Sequence, residues 1–346
     1  MARKLLWASL VLAPLTVAID KLAHPGDTTL FVLSALSLIP LAWLIGEATE
    51  HAAEHTGPGI GGFLNASFGN APELIVALFA IGANLPDVVR GSLSGSVISN
   101  LLLVFGVTQM AGPDGKEIDR RSLLVQIGLV AVAVVALVIP AAVGYSGDPE
   151  RHVAVVASVP VAIMLLLVYG AIVGRNLRRH RQVDRQPPHP DAWTMPVAIA
   201  ALTVATGATA WVSEILVHSL HAFASAVGLS EFFIAVVIVA IVGNAAEHGG
   251  AVLIARAGKM RLATEIAVSS GAQVALLVLP AVMLLGLAFT HQLALSFRWT
   301  ELVAMAVAAA AAAAVVWNGQ TSRREGVALV AVYALTVIGF LLYGGR

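Results

Sequence analysis

The chain carries one stretch twice: it reads GNAPELIVALFAIGANLPDVVRGSLSGSVISNLLLVFG from Gly69 to Gly106 and GNAAEHGGAVLIARAGKMRLATEIAVSSGAQVALLVLP from Gly243 to Pro280. A constant offset of 174 positions aligns the two copies without a gap. Each copy places a glycine, an asparagine and a glutamate inside a long apolar segment. An ionisable residue at membrane depth costs about 2.5–3.5 kcal/mol on insertion, which makes it a functional candidate. Matched interrupted segments in two halves of a chain indicate the binding site of a transporter.

Composition indicates a membrane protein. Of the 346 residues, 58% are hydrophobic and 12% are charged, and apolar runs of about 18 residues or more recur, as transmembrane helices require. The formal net charge is zero, so nothing favours nucleic-acid binding. The sequence contains no cysteine, which excludes disulfides and thiolate metal sites.

The apolar segments predict an all-α polytopic membrane protein with eleven transmembrane helices, because none of them alternates as barrel strands do. The first segment is interpreted as a retained helix rather than a signal peptide, since it has no clear small-residue cleavage site. The predicted spans are about 5–22, 28–50, 60–83, 87–110, 121–143, 152–174, 194–219, 229–255, 262–288, 297–317 and 324–343.

The distribution of lysine and arginine predicts the orientation. With a cytoplasmic N-terminus, fifteen of the 20 basic residues fall on the inside and five on the outside, and the C-terminus is outside. The predicted parts are an N-terminal helix (1–27), a first five-helix repeat (28–174), a basic cytoplasmic linker (175–193) and a second five-helix repeat (194–346). Five is an odd number, so the second repeat enters the membrane from the opposite side and the repeats are inverted.

The duplicated motif resembles a known family. Gly-Asn-Ala-x-Glu at 69–73 and 243–247, together with Gly-Ser-Val-Ile-Ser-Asn at 95–100, is similar to the two repeats of the calcium/proton exchangers, within the cation/calcium exchanger superfamily. The resemblance covers nearly the whole chain. It implies eleven transmembrane helices, a Ca2+ site built from both repeat carboxylates, and counter-transport of protons. Pro72 stands where this family more often has Thr or Val, and the linker is basic where many relatives carry an acidic helix.

The chemistry of the motif agrees with a calcium site. Ca2+ takes about six to eight oxygen ligands from carboxylates, carbonyls, amides and water. The two glutamates supply the charge that balances one divalent ion. The glycines are predicted to unwind the helix and free carbonyls, which is tolerated where backbone lines a cavity; tight helix crossing is the alternative. The asparagines are predicted to add amide oxygens or to hold the unwound turns. The predicted cation and proton ligands are Glu73, Glu247, Asn70, Asn244, Gly69 and Gly243.

A second polar set follows each glutamate. Ser96 and Ser99 are three residues apart, as are Ser270 and Gln273, so each pair shares a helical face. We predict that these residues form a polar wall opposite the glutamates, with interhelical hydrogen bonding as the alternative. His248 is predicted to relay protons, and a packed, hydrogen-bonded histidine is the alternative.

Acidic residues also end the second predicted helix. Glu50 and Glu54 predict a vestibule that attracts cations. Glu214 on the seventh helix, the approximate counterpart of Glu50, is grouped with them as a residue that lines an ion or proton path. A solvated helix end is the alternative. The run from His51 to His55, HAAEH, also fits the HxxEH spacing of inverted zinc proteases, which leaves an intramembrane zinc enzyme as another reading.

These features predict a secondary antiporter, not an enzyme, that exchanges Ca2+ for H+ by alternating access. The first alternative is an exchanger of the same fold for Na+/Ca2+, K+/H+ or Mn2+/H+, and a cation channel is the second. No cofactor is predicted beside Ca2+ as the transported ion. The expected partners are Ca2+, H+ and the lipid bilayer, with no nucleic acid and no signal for an oligomeric state. The expected location is a prokaryotic plasma (inner) membrane.

Overall fold

The fold is a bundle of α-helices, seen in a computed structural model that describes residues 2–23, 25–56, 58–144, 151–180 and 192–343. The described residues contain no β-strand, and one isolated bridge joins Glu117 to Gln320. The helices are α1 (Lys4–Leu22), α2 (Asp27–Thr56), α3 (Pro58–Phe68), α4 (Ala71–Gly82), α5 (Pro86–Ala111), α6 (Arg120–Gly144), α7 (Arg151–His180), α8 (Met195–Val227), α9 (Glu231–Gly243), α10 (Ala245–Arg256), α11 (Met260–Gly286), α12 (Trp299–Val316) and α13 (Arg323–Tyr343).

The predicted all-α membrane class is confirmed, and helix length supports nine or ten of the eleven predicted crossings within the described residues. Among the described residues, nine helices are long and apolar enough to span a membrane, and the number is ten if α9 and α10, which are bent by 57°, make one span. The predicted span 60–83 consists of α3 and α4, which have 11 and 12 residues. Each is shorter than the roughly 20 residues that a bilayer requires. The eleventh crossing stays a prediction.

The described helices α2 and α8 extend beyond their predicted spans, and α2 ends at Thr56 instead of about residue 50. Helix α8 continues to Val227, past the predicted end at 219, and stops where Gly228 adopts a left-handed conformation with φ of 69°. The predicted linker falls largely on residues 181–191, which lie outside the described part of the chain, as do residues 344–346 at the C-terminus.

The two copies of the repeated stretch have the same local structure. Helices α4 and α10 begin and end at equivalent positions, and so do the starts of α5 and α11. The breaks before α4 and α10 have nearly identical dihedrals, φ −95° and ψ 12° at Asn70 and φ −91° and ψ 7° at Asn244. Each copy also contains a π-helical segment at the same place, Ser99–Val104 and Val274–Val278. Such segments often occur at functional sites.

Helices α2 and α8 pack along each other in opposite directions. Phe31, near the start of α2, stacks on Phe223, near the end of α8, with ring centroids 4.2 Å apart. Trp193, just before α8, stacks on His51, near the end of α2, at 4.5 Å. These two helices open the two predicted repeats, and their antiparallel packing is the arrangement that inverted repeats require.

Glycines allow the closest helix contacts. A Cβ atom on Gly91 of α5 would lie 2.9 Å from the carbonyl oxygen of Phe232 on α9. A Cβ atom on Gly106 of α5 would lie 2.8 Å from the carbonyl oxygen of Gly326 on α13. Because lipid tails are as apolar as the side chains, helices in a membrane associate through such close packing.

Hydrogen bonds between segments far apart in sequence mark two ends of the bundle. At one end, the Lys116 amide donates to Thr321 Oγ1 at 2.9 Å. At the other end, Arg90 Nη1 donates to the Ser296 carbonyl at 2.8 Å. The first pair belongs to predicted cytoplasmic loops and the second to predicted outer segments. Which end faces the cytoplasm stays a prediction.

Candidate ion-binding site

Each glutamate of the repeated motif lies in the first turn of a helix that follows a break. Helix α4 begins directly after Asn70 and α10 directly after Asn244, so Glu73 and Glu247 are each the third residue of their helix. Pro72 suits this turn, because the first amide groups of a helix have no intrahelical acceptor. The amino end of a helix carries partial positive charge, which stabilises a nearby carboxylate.

Each glutamate also lies against the glycine of the other copy. A Cβ atom on Gly69 would lie 3.0 Å from Glu247 Oε1, and one on Gly243 would lie 3.6 Å from Glu73 Oε1. The two motifs therefore meet, and each carboxylate lies against the break of the other copy. The predicted unwinding is a sharp bend, since the Gly69 amide still donates to the Asn65 carbonyl at 2.8 Å.

The oxygens at this meeting point have unused hydrogen-bonding capacity. Glu73 is 7% exposed and Glu247 is half-buried. Within the described residues, Oε2 of each carboxylate is buried without a hydrogen-bond partner, and Ser270 is buried beside Glu247. An ionised carboxylate buried in this way is costly unless a cation or a proton neutralises it. The arrangement is therefore suited to binding positive charge.

Amide hydrogen bonds connect the two copies around the glutamates. Asn70 Nδ2 donates to Gln273 Oε1 at 2.9 Å. Asn244 Nδ2 donates to Ser96 Oγ at 2.8 Å and to the Ala240 carbonyl at 2.9 Å. Each asparagine thus fastens the bend of one copy to the polar helix of the other copy. These are the contacts expected of residues that hold the bent turns.

The predicted polar wall reaches the site in part. Ser96 and Gln273 bond the asparagines, and Ser270 adjoins a glutamate, as described above. Ser99 is fully buried and donates to the Ser96 carbonyl at 3.2 Å, within its own helix. Ser99 and Gln273 occupy equivalent positions in the two copies. The polar wall therefore has a short hydroxyl side chain in the first copy where the second copy has a longer amide side chain.

Asn100 also contacts the site, although the sequence did not predict a role for this residue. It is fully buried, and its Nδ2 lies 3.3 Å from Asn244 Oδ1 and 2.9 Å from the Ser96 carbonyl. Its spacing could have indicated this position, because a residue four places after Ser96 lies on the same helical face. The second copy has Val274 at this position.

His248 follows Glu247 on α10 and is half-buried. Its Nε2 is buried and has no hydrogen-bond partner within the described residues. Successive helical residues point about 100° apart, so adjacency in sequence does not bring the ring to the neighbouring carboxylate. The role of His248 as a proton relay stays a prediction.

Trp193, the last residue of the predicted linker, covers part of the end of α2. In addition to the stacking of Trp193 on His51, the Trp193 carbonyl lies 2.7 Å from His55 Nε2. His51 Nε2 lies 3.5 Å from Glu47 Oε1. His51 and His55, the two histidines of the HxxEH-like run, thus both contact Trp193. No group of three or more His, Cys, Asp or Glu side chains suited to a metal ion is found within the residues described.

Glu214 does not share a vestibule with Glu50 and Glu54, and this grouping is corrected. Glu50 is exposed and Glu54 half-buried near the end of α2. Glu214 instead lines a cavity of about 250 Å3 together with Asp27, at the start of α2. Helix α2 has 30 residues and is about 45 Å long, so the two places lie at opposite ends of the bundle. The antiparallel packing of α2 and α8 explains the separation.

Comparison with known proteins gives consistent matches over the chain. The profile of the family described as sodium/calcium exchanger protein matches residues 27–177 and 197–342. The Ca(2+)/H(+) antiporter ChaA of Bacillus subtilis is 38% identical over 344 residues, which cover 95% of this chain and 96% of that protein. The solved structure of native YfkE is 36% identical with a TM-score of 0.85, covering 97% of this chain and 99% of that chain. The H+/Ca2+ exchanger CAX is 16% identical, with a TM-score of 0.77 over 99% of this chain and 88% of that chain, and thus shares the fold.

Proposed function

Because the chain belongs to the sodium/calcium exchanger protein family, we propose that it is a secondary antiporter that exchanges Ca2+ for H+ across the membrane. Its relatives that are described as Ca2+/H+ antiporters match nearly its whole length. The observation that carries the proposal is the meeting of Glu73 and Glu247, each in the first turn of its helix and each against the glycine of the other copy.

In this proposal the two glutamates bind one Ca2+ between them. Their two negative charges balance the ion, and the Oε2 atom of each glutamate is buried without a hydrogen-bond partner within the described residues. Ca2+ prefers such hard oxygen ligands. Asn70 and Asn244 hold the bends that present the carboxylates, and water or backbone carbonyls complete the coordination.

Protons compete with Ca2+ for the same carboxylates. An empty site would hold two uncompensated negative charges at membrane depth, which is the costly state. The site is neutral with one Ca2+ bound, and it is neutral again with two protons bound. The protein therefore changes sides when loaded with Ca2+ or with protons and rarely when empty, and this preference couples the two fluxes.

Alternating access follows from inverted repeats. The equivalent breaks before α4 and α10, the matching π-helical segments and the antiparallel pair α2 and α8 support two five-helix repeats that enter the membrane from opposite sides. In such folds one repeat or helix bundle moves against the other around a site near the midplane. The eleventh crossing that this arrangement needs is formed by α3 and α4 together.

Transport by the purified protein tests the proposal. We expect 45Ca2+ uptake into proteoliposomes when a pH gradient is imposed and little uptake when a Na+ gradient is imposed instead. Uptake driven by Na+ alone would assign the chain to Na+/Ca2+ exchange. Movement of K+ or Mn2+ in preference to Ca2+ would assign one of the other ion pairs, and flux without any coupling gradient would indicate a channel.

Ca2+ affinity is expected to fall as the pH falls. Each proton that must leave before Ca2+ binds weakens the apparent affinity by about tenfold per pH unit, in the range where the site is protonated. Displacement of two protons gives a limiting slope of about 100-fold per unit. Equilibrium 45Ca2+ binding measured across a pH series gives this slope directly. Binding that does not change with pH would rule out competition for shared carboxylates.

Single cysteines report the predicted topology without background, because the natural chain has no cysteine. A cysteine in place of exposed Gln320 should react with membrane-impermeant thiol reagents only from the cytoplasmic side. A cysteine in place of exposed His291 should react only from the outside. Labelling of both from one side would mean that α12 does not cross the membrane between the two positions, which would contradict the predicted topology.

A further inference from the structure

A cavity of about 580 Å3 opens at the end of the bundle predicted to face the cytoplasm. It lies between the loop that joins α5 to α6 and the loop that joins α10 to α11. Lys116 comes from the first repeat, and Lys259 and Arg261 come from the second. The cavity therefore spans the boundary between the two repeats, next to the loop that follows the helix of Glu247.

The cations around this cavity are not all neutralised. Arg261 Nη2 donates to Asp119 Oδ2 at 2.5 Å, and this hydrogen bond lowers the pKa of the Asp119 carboxyl, so these two charges offset each other. Lys116 and Lys259 are exposed, and neither has an ion-pair partner within the described residues. Two ammonium groups thus remain available to a ligand.

Two carboxylates balance these lysines. Glu265 Oε2 accepts a hydrogen bond from Gln126 Nε2 at 2.6 Å, and a carboxylate has further lone pairs for additional donors. Glu117 is exposed on the rim. The lysines and these carboxylates sum to zero, so a simple anion gains little attraction from the site. A ligand that carries both a phosphate and an amine matches both signs.

The interior of the cavity is apolar and adjoins the membrane edge. Met260 is 2% exposed, and Leu262 is 51% exposed beside it. Helix α11 begins here and has no side-chain cap, so its first amide groups add donors for a phosphate to those of the lysines. A charged headgroup with an apolar tail attached fits this combination better than a free metabolite.

We propose that this cavity binds the headgroup of a phospholipid with a primary amine, such as an ethanolamine phospholipid. The phosphate lies at Lys116 and Lys259, and the amine donates hydrogen bonds to Glu117 and Glu265. The bound lipid bridges the two repeats at their cytoplasmic end and restrains the loop between α10 and α11. The inference does not depend on which ion is transported, because it is tested by binding.

Thermal unfolding of the purified protein in detergent measures this binding. We expect added dioleoylphosphatidylethanolamine to raise Tm by about 2 °C or more. The phosphatidylcholine and phosphatidylglycerol analogues should raise Tm by less than half as much, since one lacks N–H donors and the other lacks the amine. Inorganic phosphate should have no effect. An equal rise with either analogue, or with phosphate, would overturn the proposal.

Variants locate the effect in the cavity. Lys116→Gln with Lys259→Gln should remove the rise, whereas the matched double variant Arg121→Gln with Arg324→Gln should keep it. Those arginines are exposed at the same end of the bundle but do not line the cavity. Glu265→Gln should narrow the difference between the ethanolamine and choline lipids. Persistence of the full rise in the double lysine variant would show that the lipid binds elsewhere.

Discussion

Glutamine in place of Glu73 or Glu247 is expected to abolish Ca2+ transport driven by a pH gradient. The amide has the shape of the protonated acid but cannot become negative, so the site keeps only half the charge that Ca2+ requires. Removing one charged partner from a buried ion site costs about 3–5 kcal/mol, which corresponds to a loss in affinity of roughly 100-fold or more. The two variants should be similarly damaged, because each copy supplies one carboxylate.

45Ca2+ uptake into proteoliposomes measures this loss, and thermal unfolding shows that the variants still fold. Glu301→Gln is a matched control, because Glu301 is a fully buried carboxylate on α12. Its Oε2 accepts a hydrogen bond from the Arg298 amide at 2.5 Å, which a glutamine oxygen can also accept. The control should transport normally. Near-normal exchange by either site variant would contradict the shared-carboxylate mechanism.

Much of this fold could be predicted from local sequence signals. Apolar runs give the helices because every backbone group in lipid must be satisfied within the segment. The resemblance to calcium/proton exchangers, carried by two Gly-Asn-Ala-x-Glu motifs, is confirmed by the relatives found. The breaks at Asn70 and Asn244 were predictable in position, since glycine, asparagine and proline weaken a helix at one point.

The contacts between distant segments were not predictable in the same way. The hydrogen bond from Asn70 to Gln273 joins residues in different copies, and no spacing rule along the chain reports it. The stacking of Trp193 on His51 depends on the length of α2, whose end lies beyond the predicted one. Glu214 was grouped with Glu50 by sequence position, whereas the direction of α8 relative to α2 decides which end of the bundle it occupies.

The site is nearly symmetric in sequence but unequal in its contacts. Ser99 and Gln273 differ, Asn100 has Val274 as its counterpart, and Glu73 is more buried than Glu247. Because the two sides of a membrane differ, the two copies in the proposed inverted repeat need not remain equal. This inequality makes the two motif glycines distinguishable by experiment.

Alanine in place of Gly69 is expected to weaken Ca2+ transport far more than alanine in place of Gly243. A Cβ atom on Gly69 would lie 3.0 Å from Glu247 Oε1 and 2.6 Å from the Asn65 carbonyl oxygen, so both the carboxylate and the bend must move. A Cβ atom on Gly243 would lie 3.4 Å from Glu73 Cγ, which is ordinary contact. Overpacking of this kind costs about 1–3 kcal/mol, or roughly tenfold or more in affinity for the Gly69 variant.

The Ca2+ concentration for half-maximal 45Ca2+ uptake measures this difference, with Gly249→Ala as the control because nothing lies within 4 Å of a Cβ atom there. A shorter carboxylate at position 247 should relieve the clash. Gly69→Ala combined with Glu247→Asp is therefore expected to be less impaired than the product of the two single effects. Gly69→Ala combined with Glu73→Asp should show no such relief. Equal damage from the two glycine variants, or equal behaviour of the two double variants, would mean that Glu247 does not lie against Gly69 in the working transporter.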